Sequence, residues 1–223
     1  RKGIDINPQT FVKDLGVGVT TDISWTPHIN SIANSARRMS AWTLSVFQDR
    51  SENTMLTLYK SMIRSRVEYC SPVWNPTKIT DIQTLENIQR AFTSKIESCR
   101  NLNYHERLTK LKLMSLQRRR ERYVIIHMYK ILQNVSPNDN NIKFNYSDRR
   151  GIQAIIPSLH RRASKRAQQK YDSSFSVMGP RLWNIIPKVT TLQPTINKFK
   201  SSLQKFLDAT PDEPPTRGYT TIK

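Results

Sequence analysis

The chain has 223 residues, enough for one sizeable core or two small domains. Its 36 Lys and Arg against 17 Asp and Glu give a formal charge of +19, which speaks to anionic partners more than to fold: phosphate backbone first, an anionic membrane surface second. Composition argues against two classes: no apolar run reaches the roughly 18 residues of a membrane span, and two cysteines, Cys70 and Cys99, are too few for a secreted disulfide framework.

Residues 1–20 read as extended structure, with residues 12–19 as a strand interrupted by Gly16 and Gly18. From Pro27 the period changes. Ile29, Ile32, Ala36, Met39, Thr43 and Val46 form one helical stripe. Ser51 caps a second helix with Leu56, Tyr59, Ile63, Val67 and Cys70 as its stripe. A second row, Met55, Leu58 and Met62, widens that surface, so this helix is expected to be buried on most sides. Two prolines, Pro72 and Pro76, punctuate a turn. A third helix follows with Ile82, Leu85, Ile88, Phe92 and Ile96 inward. Asn103 and Glu106 have the spacing of a capping box for a short helix ending near Lys110. A long helix spans residues 115–134, with Val124, Met128, Ile131 and Val135 on its apolar face. The polar segment 136–141 is the candidate domain boundary. Beyond it the pattern weakens: a short strand over residues 151–156, an apolar knot around Trp183, and a last helix over about residues 194–207. Residues 210–223 are rich in Pro and Thr and read as a flexible tail. The expected class is therefore mainly α: a helical bundle with a short N-terminal β segment and a small mixed basic C-terminal region.

Catalytic chemistry finds little support. Cys70, Cys99, His105 and His127 lack zinc-ligand spacing. There is no nucleophile elbow, P-loop or paired aspartate, and the acids stand singly. His28, at a helix start, reads as packing or capping, and His127 as a core or boundary residue. The positive signal is the basic clusters. Arg118, Arg119, Arg120 and Arg122 lie within two helical turns, and Arg161, Arg162, Lys165 and Arg166 form a second group. Guanidinium groups suit phosphate bidentately, and each neutralised phosphate releases counterion. Arg37 and Arg38 are a weaker third candidate. Trp42, Trp74 and Trp183 sit among apolar residues and read as core, so no aromatic platform for single-stranded bases is evident.

The order of motifs carries more than any one of them. Lys13-Asp14-Leu15-Gly16-Val17 precedes Trp25 and His28-Ile29; Leu58-Tyr59-Lys60-Ser61-Met62-Ile63-Arg64 runs into Glu68-Tyr69-Cys70-Ser71-Pro72-Val73-Trp74-Asn75-Pro76. Ile88-Gln89-Arg90-Ala91-Phe92-Thr93 leads to Tyr104-His105-Glu106-Arg107-Leu108; then come Leu116, Arg118-Arg119-Arg120 and Met128-Tyr129-Lys130-Ile131-Leu132. Phe175-Ser176-Val177, Pro180-Arg181-Leu182-Trp183-Asn184, Pro187 and Phe199-Lys200 close the series. Over residues 10–208 it resembles the region downstream of the palm in non-LTR (LINE, Jockey/CR1-like) retrotransposon reverse transcriptases. Ser65-Arg66 departs from the Arg-Pro step frequent there, and the tail lacks the Cys/His knuckle of some relatives.

That resemblance implies a palm-to-thumb junction over residues 1–24, with Leu15 and Gly16 at the positions of a primer-grip-like strand pair. It implies a helical thumb and extension over residues 25–135, a basic C-terminal region over 136–209 and a tail from 210. The implied function is binding and positioning of template–primer RNA and DNA, beside an upstream palm of the same polypeptide, inside the cell in the element's ribonucleoprotein. The chain opens on Arg1 and reads as a piece of a longer protein. The catalytic aspartates and their Mg²⁺ are expected before Arg1, no cofactor is expected in this fragment, and the fragment alone is expected to be inactive. A stand-alone nucleic-acid-binding module and a structural or protein-interaction helical domain are the alternatives.

Overall fold

Strands β1 (Phe11–Asp14) and β2 (Val17–Thr20) pair antiparallel with Asp14 opposite Val17, leaving only Leu15 and Gly16 to turn the chain. Both turn residues have positive φ, 44° and 86°, as a two-residue hairpin whose twist matches its strands requires. The strand expected over residues 12–19, interrupted by Gly16 and Gly18, is thus folded back on itself at Leu15–Gly16. These relationships come from a computed structural model that describes residues 10–214, except for the side chains of Arg166 and Gln169; it is mainly helical, as expected.

Helix α1 (Thr26–Val46) starts with Pro27 in its first turn, where the missing amide hydrogen costs nothing. It buries Ile29, Ala33, Ala36 and Thr43. The next helical run is α2 (Glu52–Leu58), a π-helical segment (Tyr59–Arg64) and α3 (Ser65–Glu68). Its fully buried residues are Met55, Tyr59, Ile63 and Val67, spaced by four. In an α-helix each such step drifts about 40° from one face. The wider π turn takes up that drift and keeps the four residues aligned. Burial on most sides, expected for this run, is not what forms: Thr57, Lys60, Ser61, Ser65 and Arg66 face outward.

Cys70 takes a left-handed conformation (φ 51°) and redirects the chain into α4 (Ser71–Trp74). Helix α5 (Ile79–Thr93) buries Ile82, Leu85, Ile88 and Phe92. Helix α6 (Tyr104–Lys110) opens with the expected capping box: Asn103 Oδ1 accepts from the Glu106 amide at 3.0 Å, and Glu106 Oε2 accepts from the Asn103 amide at 2.8 Å. Helix α7 (Leu116–Leu132) is capped by Ser115, whose hydroxyl accepts from the Arg118 amide at 3.0 Å. Val135, expected on its apolar face, lies beyond the helix end and is 69% exposed.

Two apolar clusters result. The first runs from Val17 through α1–α6 to Leu116; the second runs from Val124 to Leu207. The change from one to the other falls inside α7, ahead of the polar segment 136–141. The second cluster is built on a ring stack, with Tyr129, Phe199 and Trp183 at centroid spacings of 4.1 and 5.8 Å. Around it lie the hairpin β3 (Phe144–Ser147)–β4 (Gly151–Ala154) and helices α8 (Lys165–Ser173), α9 (Phe175–Trp183), α10 (Lys188–Thr191) and α11 (Ile196–Asp208). Trp74 and Trp183 are buried as expected, but Trp42 is 50% exposed on α1.

The capping box makes a direct prediction. Asn103→Ala removes one half of it and should lower the unfolding free energy by about 1 kcal/mol, measured by urea denaturation of both proteins; an unchanged midpoint would show that the box contributes nothing.

Candidate nucleic-acid interface

The Arg118–Arg122 cluster, expected to grip phosphate, is largely turned inward. Successive residues of an α-helix point about 100° apart, so Arg118, Arg119 and Arg120 reach three different parts of the fold. Arg118 is 3% exposed. Its Nη1 donates to the carbonyls of Leu207 (2.9 Å) and Thr210 (2.6 Å), its Nη2 to Pro211, and its Nε lies 3.6 Å from Asp212 Oδ1. Asp212 also accepts from the Ser115 amide and hydroxyl, both at 2.7 Å. The segment after α11 is therefore tied to the start of α7, where a flexible tail was expected from residue 210; residues 215–223 lie outside the described residues.

Arg119 forks onto Glu68 of α3: Nη2 donates to Oε2 at 2.9 Å and Nε to Oε1. The Tyr123 hydroxyl joins the pair, 2.6 Å from Arg119 Nη2 and 3.2 Å from Glu68 Oε2. Burial works to lower the Arg119 pKa, but Glu68 outweighs it and the net shift is upward. Arg120 is fully buried; its Nε donates to Asn75 Oδ1 at 3.0 Å, while Nη1 and Nη2 have no hydrogen-bond partner among the described residues. Burial draws its pKa down, against the nearby carboxylates Glu86 and Glu121. Arg122 is half-buried, and burial followed by the Arg119 charge lowers its pKa. A guanidinium with no surface meets no phosphate, so Arg118 and Arg120 hold the fold together. Burial that sequence clustering cannot reveal is the reason the expectation fails there.

Glu86 completes this junction. Its carboxylate accepts from the Tyr104 hydroxyl and from the first amides of α7, Leu116 (3.2 Å) and Gln117 (3.3 Å). A carboxylate at a helix N-terminus is favoured by the peptide dipoles. Burial nevertheless raises the Glu86 pKa, opposed by Tyr104 and Arg120.

The other expected contacts are at the surface. Arg37 and Arg38 are exposed on α1, with Arg37 Nη1 donating to Asn34 at 2.9 Å. The exposed side of this helix also shows Asn30, Ser31, Asn34 and Trp42, and α1 contains no acid. Arg161, Arg162 and Lys165 are exposed just before and at the start of α8. The side chain of Arg166 lies outside the described residues. Leu15 and Gly16 form the tip of the first hairpin, with Leu15 84% exposed.

That tip is fixed from two sides. The Tyr69 hydroxyl donates to the Leu15 carbonyl at 3.0 Å. His28 Nδ1 accepts from the Gly18 amide at 3.2 Å, and the imidazole meets Trp74 edge to face at 5.4 Å. Tyr69, His28 and the exposed Lys13 were not singled out as site residues; their signal was only their place in the motif series. Burial, then the Lys13 charge, lowers the His28 pKa. No helix among the described residues is long and apolar enough to cross a membrane, and none of them form a metal-binding group of His, Cys, Asp and Glu.

No family model matches the chain, and neither does any curated protein or solved structure.

Two predictions follow from this geometry. Arg118→Gln and Arg120→Gln should each cost about 2–4 kcal/mol of stability, since each leaves buried groups unpaired, whereas Arg37→Gln and Arg38→Gln should stay within about 0.5 kcal/mol of wild type. Urea unfolding checks this, and interior variants as stable as the surface ones would refute the assignment. The second concerns His28. A histidine whose folded pKa lies below its ordinary 6.5 stabilises the fold at higher pH and loses that contribution as pH falls below 6.5. Protonation also removes the acceptor for Gly18. The stability difference between wild type and His28→Asn should therefore shrink from pH 7.5 to pH 5; a constant difference would mean that His28 does not titrate in this way.

Proposed function

We propose that this chain is the thumb-bearing C-terminal part of a non-LTR retrotransposon reverse transcriptase, and that it binds and positions template–primer nucleic acid. The observation that carries the reading is the 3.0 Å bond from Tyr69 to Leu15. It joins two motifs of the resembling series, Lys13–Val17 and Glu68–Pro76, through residues 54 apart in the chain. The same holds for Glu68 with Arg119, Asn75 with Arg120 and His28 with Trp74. Residues that carry the resemblance are, pair by pair, residues that hold one another.

In this reading the hairpin tip and the acid-free side of α1 face the duplex. Arg37 and Arg38 take phosphates, and Asn30, Ser31 and Asn34 add neutral donors to phosphate or sugar. Such contacts hold a duplex in register without reading its sequence. Arg161, Arg162 and Lys165 extend the basic surface. Polymerisation and its Mg²⁺ belong to a palm carried elsewhere on the polypeptide.

Each phosphate contact adds close to one unit of salt dependence. The double variant Arg37→Gln/Arg38→Gln should therefore bind an RNA–DNA hybrid more weakly and lower the slope of log affinity against log salt by about 2. Fluorescence anisotropy at several salt concentrations measures both. Unchanged affinity and slope would remove α1 from the interface.

A further inference from the structure

The β3–β4 hairpin presents an aromatic ring that its packing does not need. Phe144 and Tyr146 lie on one side of β3, two residues apart. Phe144 turns onto Trp183, edge to face at 6.0 Å. Tyr146 instead overhangs the core and is 61% exposed. Lys188 lies over its ring, with Nζ 5.9 Å from the centroid, and the same Nζ donates to the Asp148 carbonyl at 2.6 Å.

The hairpin is firmly anchored. The Asn184 side chain accepts from the Ala154 amide at 2.8 Å and donates to the Ala154 carbonyl at 2.9 Å. Trp183 Nε1 donates to the Ile152 carbonyl at 2.8 Å. Gly151, at φ 76°, lets the turn lie on α10: a Cβ there would come within 2.9 Å of Lys188 Cγ and 3.0 Å of Thr191 Oγ1. An exposed ring on an anchored hairpin loses little freedom when something stacks on it. Exposed Lys143, Arg149 and Arg150 lie within four residues of it on the same hairpin, with Asp148 as the nearby acid in sequence. Residues 149–170 hold seven Lys or Arg and no acid.

We propose that Tyr146 is a stacking platform for single-stranded nucleic acid, with Lys188, Arg149 and Arg150 taking the flanking phosphates. Every base has a π face, so an exposed aromatic ring on a basic hairpin binds single strands with little regard to sequence. Paired bases already stack on their neighbours, and the ring finds no open face in a duplex. This surface is separate from α1. It rests on the nucleic-acid reading above and adds to it a place for unpaired template.

The test uses the chain with a labelled 12-nucleotide uridine RNA, the corresponding thymidine DNA and an RNA–DNA hybrid. Tyr146→Ala and Tyr146→Leu should bind both single strands on the order of tenfold more weakly, with hybrid binding unchanged. Tyr146→Phe should bind as wild type, since it keeps the ring. Urea unfolding establishes that each variant is folded. Loss on RNA alone would narrow the ligand to RNA while keeping the platform. Wild-type single-strand binding by both Tyr146→Ala and Tyr146→Leu, with hybrid still bound, would overturn this inference alone. A wild-type chain that binds none of the three probes would overturn the nucleic-acid reading and this inference with it.

Discussion

The two apolar clusters of this fold meet along α7, and its first turns gather the charged contacts between them. Arg118, Arg119 and Arg120 are consecutive, and the helix sends them to the C-terminal segment, to α3 and to the residue after α4. The same turns are capped by Ser115 and by the Glu86 carboxylate. Both apolar clusters include α7, one at Leu116 and the other from Val124 onward. Hydrogen bonds from a charged donor are worth roughly 1.5–3 kcal/mol each, against about 1 for neutral pairs. Three arginines used in this way tie α3, the residue after α4 and the segment after α11 to one helix. The cost is desolvation, visible in the lowered pKa of Arg120 and the raised pKa of Glu86.

This use of arginine changes how the +19 charge is to be understood. Part of the basic excess is structural and faces no solvent. Other cations, such as Lys60, Arg66, Lys95, Arg100 and Lys110, are exposed singly along the fold, and two exposed groups stand out: Lys13 of the first hairpin with Arg37 and Arg38 of α1, and the described basic residues of 143–170 on the second core. These two surfaces have different characters. The first pairs an anchored hairpin tip with a long helix that carries no acid, and in the proposed reading it lies along a duplex. The second pairs cations with an exposed tyrosine on a short anchored hairpin, and in the proposed reading it takes a single strand.

Much of the helical frame was legible in the sequence, because long amphipathic runs report their own period. The stripe from Ile82 to Ile96 is buried throughout, and the Asn103–Glu106 box forms as its spacing implies. The short strand expected from Gly151 forms as β4, but other short elements were not legible. Phe144–Ser147 and Lys188–Thr191 are four residues each, too short for any period to show; the first is placed by pairing with β4, whose Ala154 and Ile152 are held by the side chains of Asn184 and Trp183. At the site, the failure had one physical cause: a row of arginines looks the same whether it faces phosphate or carbonyl oxygen. Which it faces depends on contacts such as Leu207 with Arg118, 89 residues apart. Conversely, Trp42 lies on an apolar-looking stretch yet is half exposed. The Leu15–Gly16 tip was picked out by motif resemblance, and the positive φ of both residues supplies the local reason for its turn.

The most direct test of this account is photo-crosslinking of the chain to an RNA–DNA hybrid, followed by mapping of the joined residues by mass spectrometry. The account predicts adducts at the hairpin tip and along the exposed side of α1 through Arg38 and Trp42, and none at Arg118 or Arg120. Adducts concentrated on Arg118 and Arg120, with α1 unmarked, would contradict it.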